Sequence, residues 1–128
     1  MDLPDCLRVV FEQGRQQRLL GYRGRFAPTP SGPLHLGNLR TALISWLQAR
    51  LQGGEWLLRI DDLDTPRIRV GAVDSALEDL QWLGLHWDGP VIMQSQRLEL
   101  YNTCLSALRH DQLLYACRCT RRELGGRR

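Results

Sequence analysis

The chain has 128 residues and a formal net charge of +3, and all 17 of its basic side chains are arginine. Its 43% apolar and 24% charged residues exclude an intrinsically disordered chain, and its length fits one domain able to bury roughly two-thirds of its unfolded surface. The absence of lysine, which an arginine-biased codon usage would explain, excludes a Schiff-base or P-loop lysine from these residues.

The N-terminal Met1-Asp2-Leu3-Pro4 lacks the basic start and long apolar run of a signal peptide. No apolar run approaches the roughly 20 residues of a membrane span. Cys6, Cys104, Cys117 and Cys119 are not spaced as a disulfide framework, so a reducing cytoplasm is the expected location. Residues 1–21 hold an apolar cluster, Leu7, Val9, Val10 and Phe11, followed by a polar run, and read as a marginal helix or an extension.

Tyr22 to Ala27 reads as a strand that enters the turn Pro28-Thr29-Pro30-Ser31-Gly32-Pro33. From Leu39 the period becomes helical, with Leu39, Ala42, Leu43, Trp46 and Leu47 on one face, Asn38 as the expected N-cap and Gly53-Gly54 as the stop. Glu55 to Ile60 predicts a second strand, and Thr65-Pro66 breaks the chain. Val73, Ala76, Leu77, Leu80 and Leu83 predict a second helix ending at Gly84. Val91 to Met93 reads as a short strand, and Ser95 starts a third helix with Leu98, Tyr101, Cys104, Leu105 and Leu108 on one face. Leu114 to Cys119 is extended, and Thr120-Arg121-Arg122-Glu123 has the pattern of a capping box. The alternation of strand and helix predicts an α/β domain with a parallel sheet.

The charge is uneven: residues 1–108 carry 11 arginines against 12 acids, and residues 109–128 carry six against two. The arginines from Arg118 to Arg128 suit RNA phosphates, and equally a solvated surface. Trp46, Trp56, Trp82 and Trp87 are expected in the core or at an interface.

The first strand–turn–helix joint carries the chemistry. In doubly wound sheets nucleotides bind at such carboxyl ends, where a helix N-terminus offers free N–H groups to phosphate. His35 lies just before that terminus. It either caps or packs there, or donates a hydrogen bond to a phosphate and stabilises charge in the transition state. Gly37 would let a nucleotide approach the backbone.

The string Arg25-Phe26-Ala27-Pro28-Thr29-Pro30-Ser31-Gly32-Pro33-Leu34-His35-Leu36-Gly37-Asn38 resembles the first ATP motif of class I aminoacyl-tRNA synthetases, in the form found in glutamyl-tRNA synthetases. Leu58-Arg59-Ile60-Asp61-Asp62-Leu63-Asp64 and Gly84-Leu85-His86-Trp87-Asp88-Gly89 resemble two later segments of the same family. Pro30-Ser31-Gly32, the Gly84–Gly89 segment, Gln94-Ser95-Gln96-Arg97 and Tyr115-Ala116-Cys117-Arg118-Cys119-Thr120 point within it to the truncated branch that attaches glutamate to queuosine of tRNA(Asp).

The resemblance implies a Rossmann-like class I catalytic domain, incomplete in these residues, and a ligase that activates L-glutamate with ATP and Mg²⁺ and passes the glutamyl group to tRNA, acting as a monomer. It implies ATP contacts at His35, Gly37 and Asn38, with His35 catalytic. It implies glutamate contacts at Arg25, Ala27, Thr29 and Asp61. Asn38 stands where the family motif has a second histidine, Thr29 where serine is commoner, and Asp61 where a glutamate binds the substrate ammonium. Cys117 and Cys119 would be half of a Zn²⁺ site, with His110 as a candidate third ligand. On this reading residues 1–21 are an extension, 22–114 the N-terminal part of the catalytic domain, and 115–128 the start of a zinc-binding insertion. The family's second ATP motif is built on lysine, so residues 1–128 alone are expected not to turn over. Two other readings stay open: an N-terminal part of an ordinary glutamyl-tRNA synthetase, and a non-catalytic nucleotide- or RNA-binding remnant.

Overall fold

A computed structural model describes residues 5–120, 122 and 123. The first described element is a helix, α1 (Asp5–Arg18), with Leu7 buried and Val9, Val10 and Phe11 exposed. The chain then enters β1 (Arg23–Phe26), α2 (Leu36–Leu51) and β2 (Glu55–Ile60). A single 3₁₀ turn over Thr65–Arg67 leads to α3 (Ala72–Trp82). A two-residue strand, β3 (Ile92–Met93), passes through a second 3₁₀ turn into α4 (Leu98–His110).

The three strands are parallel and lie in the order β1-β2-β3. Right-handed crossovers between neighbours in that order place both connecting helices on one face of the sheet. The core shows this: Phe26, Trp56 and Leu58 pack with Ala42 and Ala49 of α2 and Leu80 of α3. The rings of Phe26 and Trp56 stack with centroids 6.0 Å apart. Gly54 has no alternative residue at the entry to β2, because a Cβ there would run into the Tyr22 carbonyl oxygen.

The two-residue period of the strands sends Arg23, Arg25, Leu57 and Arg59 to the opposite face. Parallel sheets normally have both faces covered. Here that second face is lined by charged side chains, and Arg23 pairs across it with Glu55 at 2.6 Å.

The strands fall where the sequence predicts them, but two helix starts do not. α2 begins at Leu36 rather than Leu39, and its N-cap is His35 rather than Asn38. The imidazole takes the capping role usually given to a side-chain oxygen, which leaves Asn38 as the third helical residue. The helix expected from Ser95 spends its first turn as 3₁₀ and becomes α-helical at Leu98.

The apolar face of α4 is only partly covered: Tyr101 and Cys104 are half-buried, while Leu98, Leu105 and Leu108 are exposed. α2 has a second apolar stripe, Leu36, Leu43, Ile44, Leu47 and Leu51, that is also exposed. Trp56 is fully buried and Trp46 and Trp87 pack against the core, but Trp82 is 86% exposed, against the expectation for it. No described helix is long and apolar enough to cross a membrane.

Candidate active site

The turn after β1 is held open by backbone hydrogen bonds rather than by its own side chains. Asp61 N donates to Pro28 O at 3.0 Å, Arg69 N to Pro30 O at 2.9 Å, and Ser31 N to Thr29 O at 2.8 Å. Three prolines remove N–H donors from this stretch, and the Pro28 and Pro30 carbonyls are met by donors from elsewhere in the chain. Between the turn and the start of α2 lies a cleft of about 740 Å³. Arg25, Ala27, Thr29, Ser31, His35, Asn38 and Thr41 are among its lining residues.

His35 forms a reciprocal cap. Its Nδ1 accepts from the backbone N–H of Gly37 at 3.1 Å and of Asn38 at 3.3 Å. Asn38 Oδ1 in turn accepts from His35 N at 3.3 Å. A nitrogen that accepts two N–H bonds carries no proton, so a neutral ring holds its proton on Nε2. The capping role and the phosphate-donor role are therefore not alternatives: one nitrogen caps, and the other is left as a donor at a helix N-terminus.

Gly37 is explained by the same ring. A Cβ at 37 would meet His35 Cε1 at 2.9 Å and Nδ1 at 3.1 Å, so the missing side chain is the space the imidazole occupies. Gly37 itself is not part of the cleft lining.

The expected glutamate contacts divide. Arg25, Ala27 and Thr29 line the cleft, and the Arg25 guanidinium has no hydrogen bond or ion pair among the described residues. Asp61 lies beside the cleft rather than in its lining, joined to the turn by its backbone bond to Pro28. Its carboxylate is gripped by Arg59, Nε to Oδ1 at 2.6 Å and Nη2 to Oδ2 at 3.0 Å. Those hydrogen bonds hold the Arg59 guanidinium above its already high pKa, against the lowering effect of burial.

Sequence reasoning passed over Arg59. The available signal was the Arg-x-Asp spacing on a strand, which places both side chains on one face. The next acid, Asp62, accepts from Ser95 N at 2.8 Å and Ser95 Oγ at 2.5 Å, and so pins the start of the second 3₁₀ turn to the end of β2. Burial raises the Asp62 carboxyl, but the Ser95 bonds together with the Asp62 and Gln94 backbone N–H groups outweigh it and hold the group below its ordinary pKa.

The Gly84–Gly89 segment is structural. Asp88 Oδ2 accepts from Arg50 Nη1 at 2.7 Å and from Trp56 N at 2.7 Å, while Asp88 N donates to Trp56 O at 2.9 Å. His86 O accepts from Arg50 Nη2 at 2.7 Å and Trp46 Nε1 at 3.0 Å. The segment thus completes the edge of β2 where β3 has not yet begun, and ties the end of α2 to it. The Arg50 guanidinium beside Asp88 holds that carboxyl below its ordinary pKa, against burial, with help from the Trp56 N–H.

Cys117 and Cys119 are exposed free thiols on a stretch without regular structure. His110 is paired with Asp111 at 3.2 Å. Among the described residues no three His, Cys, Asp or Glu side chains are grouped closely enough to hold one metal ion. The two thiols therefore do not make a zinc site by themselves, and His110 does not complete one. The Thr120 capping box does form: Glu123 Oε2 accepts from Thr120 N at 2.6 Å, and Glu123 N donates to Thr120 Oγ1 at 3.4 Å.

Comparison with known proteins bears on the family and the fold. The family model for class I tRNA synthetases (E and Q), catalytic domain, matches residues 22–128. A glutamyl-Q tRNA(Asp) synthetase of Prochlorococcus marinus (strain MIT 9303) is 67% identical over 123 residues, which are 96% of this chain and 40% of that protein. A second, from Synechococcus sp. (strain CC9605), is 61% identical over 97% of this chain and 43% of its own length. The crystal structure of glutamate-tRNA synthetase from Elizabethkingia anophelis superposes with a TM-score of 0.66 at 41% identity, covering 69% of this chain and 19% of that one. The chain thus spans about 40% of the length of the curated relatives it matches. With the parallel sheet, the capped joint and this family match together, the chain belongs to the class I tRNA synthetases of the glutamyl and glutaminyl type and represents part of their catalytic domain.

Proposed function

We propose that the protein containing this chain activates L-glutamate with ATP and transfers the glutamyl group to queuosine of tRNA(Asp). The observation that carries the reading is the cleft between β1 and α2. It holds an arginine with no partner among the described residues, beside a histidine whose cap leaves Nε2 as a donor. The identity of 54–67% to several glutamyl-Q tRNA(Asp) synthetases, against 36–41% to two glutamate-tRNA synthetases, favours the queuosine acceptor over tRNA(Glu).

The roles follow from the chemistry of the side chains. Arg25 pairs with a substrate carboxylate, because a guanidinium fork matches a carboxylate in two parallel bonds. Ala27 contributes backbone and Thr29 a hydroxyl. Asp61 receives the ammonium group on oxygen lone pairs that Arg59 leaves open. The glutamate carboxylate attacks the α-phosphorus of ATP, which enters as its magnesium complex, and pyrophosphate leaves. His35 Nε2–H donates to the phosphate oxygens as charge develops there, with Asn38 at the N-terminus of α2 lining the same cleft and Gly37 leaving room for the imidazole. The acyl group then passes from the adenylate to a hydroxyl of the RNA, and AMP leaves. Cys117 and Cys119 would supply two thiolates to a structural zinc ion whose other ligands come from elsewhere in the protein. The reaction takes place in the cytoplasm with the protein as a monomer.

Glutamate-dependent exchange between ATP and pyrophosphate by the full-length protein is the direct test. Exchange with glutamate, followed by charging of queuosine-containing tRNA(Asp) and not of tRNA(Glu), is expected. Charging of tRNA(Glu) instead would assign the alternative acceptor, and no exchange would leave only a binding role.

A further inference from the structure

The Arg59–Asp61 pair is the feature of the site that neither the resemblance nor the comparisons account for. Arg59 sits on the face of the sheet away from the helices, and Asp61, just past the end of β2, pairs with it there. Arg25 lies on that same face, one strand over, opposite Leu57. Both members of the pair are largely screened from solvent, with side chains 22% and 28% exposed. The contact is a two-point fork, Nε to Oδ1 at 2.6 Å and Nη2 to Oδ2 at 3.0 Å. An exposed single-point ion pair leaves its carboxylate free to rotate; a half-buried fork fixes both χ angles of an aspartate.

We infer that Arg59 is a positioning residue for amino-group recognition: it fixes the Asp61 carboxylate so that the remaining lone pair on each oxygen faces the ammonium of an α-amino acid whose carboxylate is held by Arg25. This rests on the proposed glutamate-activating role of the cleft. The fork takes one lone pair from each carboxylate oxygen, and each oxygen has a second. An aspartate reaches one methylene less far than a glutamate, so its direction matters more, and the fork supplies that direction. The backbone bond from Asp61 N to Pro28 O ties the main chain of the same residue to the turn that carries Thr29. Arg59 therefore acts through Asp61 and touches no substrate atom itself.

Steady-state ATP–pyrophosphate exchange by the full-length protein tests this with Arg59→Met, Arg59→Lys and Asp61→Asn. Arg59→Met is expected to raise KM for glutamate about tenfold while KM for ATP and kcat stay within about twofold. Arg59→Lys keeps the charge but not the fork, and is expected to fall between the two. Inhibition by glutarate, which has both carboxylates and no amino group, is expected to be unchanged. Arg59→Met combined with Asp61→Asn should be no worse than Asp61→Asn alone. A parallel rise in KM for ATP, an equal weakening of glutarate, or additive effects in the double variant would mean that Arg59 only supports the fold, and would overturn the inference. If Arg59→Met does not fold, Arg59→Lys carries the same comparison. Exchange by the unaltered protein that needs no glutamate overturns the functional reading and this inference together. Normal glutamate-dependent exchange with Arg59→Met indistinguishable from the unaltered protein overturns this inference alone.

Discussion

The two ends of α2 are built on opposite principles. At its C-terminal end every polar group in the cluster is answered: Arg50 bonds to Asp88 and to two carbonyls, Asp88 also closes the Trp56 N–H, and Trp46 bonds to His86 O. At its N-terminal end the turn is answered through its backbone, but the groups facing the cleft are not. Arg25 has no partner among the described residues, and His35 uses only one of its two nitrogens. A closed polar network adds rigidity because leaving any member unpaired is costly, whereas an open set of donors around a cleft is what an anionic ligand requires. One helix thus joins a rigid anchor to a receptive site, and the anchor fixes where the site's donors point.

The largest effect expected of any substitution that breaks this contrast is at His35. Asparagine is among the best N-caps, so His35→Asn keeps an acceptor for the Gly37 and Asn38 N–H groups. It removes the Nε2 donor. Thermal unfolding should therefore move little, with a stability change under about 1 kcal/mol, while glutamate-dependent exchange falls about a hundredfold or more. If exchange survives unchanged in His35→Asn, the free nitrogen has no part in the chemistry and the open end of α2 is only a cap.

Much of this contrast could be read from the sequence, and the missing part has physical causes. The strands β1 and β2 and the helix α3 declare themselves by period, and the Pro/Gly turn marks the cleft. The start of α2 was misplaced because a histidine imidazole is a rarer cap than the asparagine three residues on, and only the observed Nδ1 geometry distinguishes them. The anchor was invisible because Arg50, Trp56 and Asp88 are up to 38 residues apart and no local pattern joins them. The exposure of Trp82 and of the α2 stripe also escaped, since apolar spacing predicts a face but not whether that face is covered. Arg59 was legible as a strand residue, but its partner was assigned to the substrate alone.

The closed end is tested by Asp88→Ala. It leaves the buried Trp56 N–H and one side of Arg50 without acceptors, and should cost about 2 kcal/mol of stability. Denaturant unfolding measures it, and Arg50→Ala on top should add little, because the two share one network. The pH dependence has a defined sign. The carboxyls of Asp88 and Asp62 are held below their ordinary values in the folded chain. Such a group contributes its stabilisation in full above its unfolded pKa and loses it as pH falls through the lower folded one. Unfolding free energy should therefore be flat near neutrality and decline only as pH falls below the ordinary aspartate range. Asp88→Asn should make that decline shallower. An acid limb unchanged in Asp88→Asn would place the titration elsewhere.

The finest test is Gly37→Ala, because two effects of similar size oppose each other there. Alanine is better than glycine inside a helix by up to about 1 kcal/mol, which favours the substitution. The new Cβ would lie 2.9 Å from His35 Cε1, closer than carbon atoms pack, so the ring must turn away and weaken its bonds to the first helical turn. Losing a cap costs about 1 kcal/mol. Net stability should then change by less than about 1 kcal/mol in either direction. Activity has no such compensation: a turned ring aims Nε2 elsewhere, and exchange should fall about tenfold. Loss of activity without loss of stability would show that Gly37 serves the direction of the imidazole. Loss of both in proportion would show that it serves the cap alone.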